Sequence, residues 1–233
     1  MKIFRRVLLI IFIVLLVIFS ILFFIGFGYY SNVLKEKPLV NRVTEITSKD
    51  HFVKFNEMSK DYINAVIAIE DHRFYDHGPV DFIAILRAIF TNIKDNEFEQ
   101  GGSTITQQVS KNILFTQERT LARKLGEVFG AFDLEKNYTK NEIFELYVNT
   151  CYFGDGYYGI YDASMGYFNK EPKDLTLYEA TILAGVPNAP SIYSPTVNPE
   201  LCKQRQKQVL NSMVNYGYIS ENDRSDVLNE SSK

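Results

Sequence analysis

The sequence predicts a mainly α-helical domain that follows one N-terminal transmembrane helix. Three observations predict it. No charged residue interrupts the chain from Val7 to Phe27, and a run of about 20 apolar residues is what a helix needs to cross a bilayer. Further along, apolar residues recur at helical spacing, most clearly Phe82, Ile83, Leu86, Ile89, Phe90 and Ile93, which is the i, i+3, i+4, i+7 pattern of an amphipathic helix. Few segments alternate with period two, the mark of a half-buried strand.

The anchor is read first. Lys2, Arg5 and Arg6 precede the apolar run and the next charge is Lys35, so the positive end should stay cytoplasmic and the rest of the chain lie outside. A cleaved signal peptide also begins with positive charge. Its apolar region, however, spans only about 7–15 residues and ends in a small-x-small cleavage site. Gly28-Tyr29-Tyr30-Ser31-Asn32 offers none. The chain therefore divides into a cytoplasmic stub and anchor (1–30), a linker (31–55), the domain proper (56–225) and a flexible tail (226–233). Pro38 and Thr44-Glu45-Ile46-Thr47 mark the linker as the place for a short extended segment.

Within the domain, helix starts are signalled locally. Thr104-x-x-Gln107, Thr139-x-x-Glu142 and Thr176-x-x-Glu179 fit the capping box, in which the hydroxyl and the residue three later satisfy otherwise unpaired N–H groups. The last of these helices should stop at Gly185, with Pro187 just beyond. Gly154-Asp155-Gly156-Tyr157-Tyr158-Gly159 reads as a loop.

Composition narrows the function. The roughly 200 residues after the anchor make one domain with a substantial core. A net charge of −3 and a pI near 5.7 argue against nucleic acid, which calls for a strongly basic face. Cys151 and Cys202 form no metal-ligand spacing and are too few for a disulfide framework. The three histidines fall in no zinc pattern.

Two carboxylates frame the chemistry. Glu70 ends the apolar run Ile63-Asn64-Ala65-Val66-Ile67-Ala68-Ile69, and an acid at the rim of a core is partly desolvated, which suits a general base. Taken alone, Glu70 reads better as an ordinary exposed helix-end acid. Glu127 lies four residues after Arg123, and its plain reading is a surface salt bridge contributing about 0.3–0.5 kcal/mol. Between them, Gly101-Gly102 lead into a capped helix whose free N–H groups and positive end suit a phosphate approached by bare backbone. On that helix Thr104, Gln108 and Lys111 share a face. Arg119, Arg123 and Lys124 add cations where a diphosphate would need them. Capping alone already explains Thr104 and Gln107, and His77 before Gly78 fits a structural role.

Together these residues resemble the peptidoglycan glycosyltransferases of family 51, in their monofunctional membrane-anchored form, from about residue 64 to 210. Five ordered motifs carry the resemblance: Glu70-Asp71-x-x-Phe74-x-x-His77-Gly78, Gly102-Ser103-Thr104-Ile105-x-Gln107-Gln108-x-x-Lys111-Asn112, Arg123-Lys124-x-x-Glu127, Lys140-x-x-Ile143-x-Glu145-x-Tyr147-x-Asn149, and a weaker Arg205-Gln206-Lys207-Gln208-Val209-Leu210. The family commonly has a second basic residue at the place of Gln206.

The resemblance implies a lysozyme-like, two-lobed α domain on the outer face of the cytoplasmic membrane, with a hydrophobic jaw that dips into the bilayer, placed at Phe82 to Ile93 and the connection 95–100. It implies polymerisation of lipid II onto a lipid-linked glycan, with inversion and release of undecaprenyl diphosphate. Glu70 would be the general base and Glu127 the second catalytic carboxylate. Asp71, Ser103, Thr104, Gln108, Lys111, Arg119, Arg123, Lys124 and Asn188 would bind substrate. No dedicated metal cage is present, and Mg2+ or another divalent cation stays an option without being required. Penicillin-binding transpeptidases and division or elongation proteins are the implied protein partners. No S-x-x-K or K-T-G motif occurs, so β-lactam binding at a catalytic serine is not expected. Two rivals remain: a lysozyme-type hydrolase, which has no use for the cation cluster, and an envelope scaffold, which would be expected to have lost Glu70 or Glu127.

Overall fold

A computed structural model describes residues 2–95, 102–116 and 118–230, with side chains from residue 3 onward and excluding those of 89–95. Among the described residues the chain is helical throughout, with no β-strand beyond an isolated antiparallel bridge between Tyr152 and Tyr158.

Helix α1 (Lys2–Glu36) is one continuous rod. Residues 3–36 are long and apolar enough to cross a membrane, and side chains 3–19 are exposed throughout. The segment expected to be a linker with an extended stretch is instead mostly helical. α1 runs on to Glu36, and α2 (Leu39–Thr47) follows directly after Pro38. Leu39 and Val43 of α2 are buried in the main core. An apolar pair four residues apart pulls this segment into a helix, and extended backbone is left to Pro38 (φ −56°, ψ 149°) between the two helices and to the segment's end, at Lys54 (φ −80°, ψ 161°).

That end is pinned by the fourth motif. Asn149 accepts from the Val53 N–H at 2.9 Å and donates to the Val53 carbonyl at 2.8 Å, while Glu145 accepts from the Phe55 N–H at 2.8 Å. These contacts hold the backbone of the segment entering the domain.

The core is built on α3 (Lys60–Glu70), α5 (Ile105–Leu114), α7 (Lys140–Thr150) and α9 (Leu177–Gly185). α4 (Phe82–Asp95) lies between α3 and α5 in sequence, and α6 (Leu121–Asn137) packs along α5. α8 (Ile160–Phe168) and the one-turn α10 (Pro190–Tyr193) flank α9. α11 (Pro199–Asn215) then lies across both α3 and α9. Tyr62, Phe74, Ile105, Leu134, Phe144, Tyr147, Leu183 and Leu210 are among the largest fully buried side chains.

All three capping boxes form as expected, at Thr104, Thr139 and Thr176. Each satisfies donors that the first turn of a helix leaves unpaired. α9 ends at Gly185, where a 3-10 turn (Val186–Asn188) continues the chain. The Gly154–Gly159 loop is a tight turn, with Gly154 at φ 83°, Asp155 at 51° and Gly156 at 84°. The flexible tail is corrected in part: α12 (Glu221–Glu230) extends through residues 226–230 and buries Val227, while 231–233 lie outside the described residues.

Candidate active site

A polar cleft of about 610 Å³ opens where α3, α5 and α6 face α4 and α11. It is lined by Glu70, Asp71, Ser103, Gln108, Lys111, Lys124, Glu127 and Asn188, together with His72, Arg87, Gln107, Arg205, Gln208, Ser212 and Tyr216.

Glu70 is the last residue of α3, with its side chain 11% exposed. Its Oε2 accepts from the Gln108 amide at 2.8 Å, so α5 orients it. Its Oε1 has no hydrogen-bond partner, and the nearest cation, Arg205 Nη2, stays 3.8 Å away. A buried carboxylate oxygen without a donor is costly. It leaves one acceptor of a cleft-lining residue unsatisfied.

Glu127 is arranged in the opposite way. It is 1% exposed and holds two cations, Arg123 through Oε1 and Lys124 through Oε2 at 2.9 Å. The Lys124 ammonium also donates to Ser103 Oγ at 2.9 Å, tying the start of α6 to the segment before α5. The surface salt bridge considered from sequence is therefore a buried cluster, for which removing one partner leaves an uncompensated charge. Lys111, in the last turn of α5, lines the cleft with no ion pair among the described residues.

The phosphate cradle expected at the start of α5 is not available. The Ile105 N–H already donates to Asp71 Oδ2 at 3.0 Å, Gln107 N–H to Thr104 Oγ1, and Thr104 N–H to Gln107 Oε1. The Asp71 carboxylate thus occupies the positive helix end that a ligand phosphate would have used. Gly102 serves packing, since a Cβ there would come 3.3 Å from the backbone of Ile85 on α4. Gly101 lies outside the described residues. Thr104, 2% exposed, spends its hydroxyl on the cap and on the Pro79 carbonyl, so it is a structural residue.

Asp71 is itself held in place. His77 Nε2 lies 2.7 Å from Asp71 Oδ1. Burial alone would lower the His77 pKa, but hydrogen bonds to Asp71 and the Gly78 carbonyl outweigh it, and the pKa is raised. Asp81 pairs with Arg73 and accepts from the Ala84 N–H, and despite its burial these partners lower its pKa. His72 behaves differently from His77. Its ring stacks on Tyr216 at 4.1 Å, and burial, then Arg87 and Arg73, lower its pKa and favour the neutral ring.

The sequence comparisons now bear on this geometry. A family profile described as Transglycosylase matches residues 37–214. The chain belongs to the transglycosylase family. The chain is 47% identical over 168 residues to penicillin-binding protein 1F of Bacillus subtilis, covering 72% of this chain and 24% of that one. It is 46% identical over 179 residues to penicillin-binding protein 1A of Neisseria lactamica, covering 77% and 22%, and to the Neisseria gonorrhoeae protein of the same name to the same extent. This transglycosylase therefore spans about a quarter of the length of these curated relatives. Among solved structures, the crystal structure of penicillin-binding protein 1A from Haemophilus influenzae matches 53% of this chain and 15% of that one, at 30% identity and a TM-score of 0.38.

Of the residues singled out from the transglycosylase sequence, Glu70, Glu127, Asp71, Ser103, Gln108, Lys111, Lys124 and Asn188 come together at the cleft. Arg123 reaches it through Glu127. Arg119 does not: it stands exposed ahead of α6 and does not line the cleft.

Asp71, His77 and Asp81 have ligand atoms within 4.8 Å of one another, the spacing of a cation site. Their occupancy argues against one. Arg73 already neutralises Asp81, the Asp71 oxygens accept from His77 and Ile105, and the raised His77 pKa favours imidazolium. Glu127 is likewise satisfied by two cations. These donor sets do not fit a divalent ion.

Arg205, Gln208, Ser212 and Tyr216 were missed as site residues. They recur at i, i+3, i+7 and i+11 along α11, a polar stripe that could have been found by the same periodicity used for apolar faces. Gln206 faces the other way. It is buried, and its amide donates to Tyr178 O at 3.0 Å and Thr181 Oγ1 at 3.1 Å, so the departure from the family's usual basic residue falls in the α11–α9 contact and not in the cleft.

Proposed function

We propose that this transglycosylase is a peptidoglycan glycosyltransferase that polymerises lipid II. The Glu70 carboxylate, with one oxygen oriented by Gln108 and the other buried without a hydrogen-bond donor, at a cleft that also holds Lys111, which has no ion pair among the described residues, is the observation that carries the reading. Glu70 takes the proton of the acceptor sugar 4-hydroxyl as the oxygen attacks the anomeric carbon of the donor. The bond to the diphosphate breaks on the opposite face, so the configuration inverts and undecaprenyl diphosphate leaves. Gln108 keeps Glu70 aimed. Lys111, Lys124 and Arg205 line the same space and offset the charge that develops on the leaving group, a contribution that is often the largest in such steps. Glu127 fixes Arg123 and Lys124 in place and needs no proton of its own for this role.

The charges at Lys2, Arg5 and Arg6 orient the anchor with its N-terminus in the cytoplasm and the cleft outside. Phe82, Ile83 and Leu86 on α4 are all more than half exposed, and this face meets the outer leaflet, where the lipid tails of donor and acceptor reside. Replacing Ile83 and Leu86 by Asp should weaken liposome flotation of an anchor-deleted domain, and unchanged flotation would rule out α4 as the contact.

The decisive experiment is polymerisation of labelled lipid II in detergent by the wild type and Glu70→Gln, with gel analysis and muramidase digestion. Muramidase-sensitive polymer from the wild type alone is the expected result. Cleavage of preformed glycan would instead make the protein a hydrolase, and lipid II binding without turnover by either protein would make it a scaffold.

A further inference from the structure

The anchor does more than leave the membrane and hand over to the domain. Its outer part lies against α6. Gly26 is buried there, and a Cβ added to it would come 2.7 Å from Leu125 Cβ and 3.0 Å from Phe129 Cε2. Leu125 Cβ is fixed to its backbone and cannot swing aside. Phe23 and Phe27 meet the edge of Phe129 at 5.1 and 5.7 Å, and the Tyr30 hydroxyl donates to Asp133 at 2.5 Å. On the far side of α6, a Cβ on Gly130 would come 2.2 Å from Ser110 Oγ of α5. α6 is thus held between the anchor and α5 with no slack on either side. The residues it presents to the cleft, Lys124 and Glu127, lie one position before Leu125 and two after it.

We propose that the outer part of the anchor is a positioning element of the active site, with Gly26 and Tyr30 setting where α6 presents Arg123, Lys124 and Glu127. This rests on the glycosyltransferase reading for its effect on rate, but not for its effect on α6. The inner part of the anchor has no such role, because side chains 3–19 touch only the surroundings. Gly28 provides an internal control: it lies two residues further along the same helix, and a Cβ there meets nothing within 4 Å.

The test uses the full chain reconstituted in phospholipid vesicles, with Gly26→Leu, Gly28→Leu, and a chain whose residues 7–19 are replaced by polyleucine, which keeps Lys2, Arg5 and Arg6. Carbonate extraction checks insertion. Gly26→Leu should lose amide-exchange protection across 121–130 while keeping it in α9, and should lower kcat for lipid II about tenfold or more with KM nearly unchanged, as expected when transition-state groups are displaced by a fraction of an ångström. Gly28→Leu and the polyleucine chain should match the wild type. The proposal is overturned if Gly26→Leu keeps α6 protected, or if Gly28→Leu or the polyleucine chain is as damaging. If the wild type itself makes no polymer, the activity reading fails, and amide exchange alone still decides whether the anchor positions α6.

Discussion

Glu70 and Glu127 are both acids on helices at the same cleft, and their surroundings differ in kind. Glu70 receives one amide hydrogen bond and leaves its other oxygen buried without a donor. Glu127 is sealed between a guanidinium and an ammonium, with no face left for a proton. Identical functional groups therefore stand in unlike surroundings. The first keeps an acceptor without a donor, whereas the second is paired on both oxygens, and the difference lies in their neighbours.

Substitutions at the two sites should separate activity from stability. The largest effect belongs to Glu70→Gln, which keeps the shape and the contact with Gln108 but removes the base: kcat should fall by about 10²–10⁴, with the thermal midpoint close to wild type. A fall in midpoint matching the loss of activity would make Glu70 a structural acid and erase the contrast. Glu127→Gln should do both kinds of harm. It strands a largely buried Arg123, and after discounting Lys124, whose side chain is half in water, we expect a loss of about 2–3 kcal/mol in urea unfolding along with reduced turnover. A stable but inactive Glu127→Gln protein would instead give Glu127 a direct part in the chemistry.

Smaller effects probe what surrounds the pair. Lys111→Gln should raise KM for lipid II about tenfold and leave stability within about 0.5 kcal/mol, because Lys111 makes no ion pair to lose. Thr104→Val should cost about 1 kcal/mol through the lost cap, with KM nearly unchanged if Thr104 contacts no substrate. The least effect concerns His77. Its folded pKa is raised above the unfolded value near 6.5, so its contribution is complete below pH about 6.5 and is lost as pH rises through the folded value. The stability gap between wild type and His77→Gln should therefore be widest near pH 5.5 and narrow by pH 8.5, as urea midpoints at several pH values would show. A gap that widens with pH would mean that neutral His77 is the form that steadies Asp71.

Features that rest on a few consecutive residues were legible in the sequence. An uncharged run from Val7 to Phe27 can only be satisfied by a helix of spanning length in lipid. Thr104, Thr139 and Thr176 announce their helices because a cap is made within one turn. Glu70, Gln108, Lys111, Lys124 and Glu127 could be named from dense motifs, and the fold brings all five to one cleft.

Features that depend on distant segments meeting were decided only by the tertiary structure. Nothing local shows that Asp71 fills the start of a helix 34 residues on, closing the phosphate cradle that two glycines suggested. Nothing local places Arg205 beside Glu70, since α11 must first cross α3 and α9. The linker became α2 because the core had room for Leu39 and Val43, and Gly26 mattered only once Leu125 lay against it. Helix length and capping follow from bonds within a turn of chain, whereas burial, charge pairing and close approach depend on which surfaces pack together. Sequence alone thus named the two acids, and packing gave them unlike surroundings.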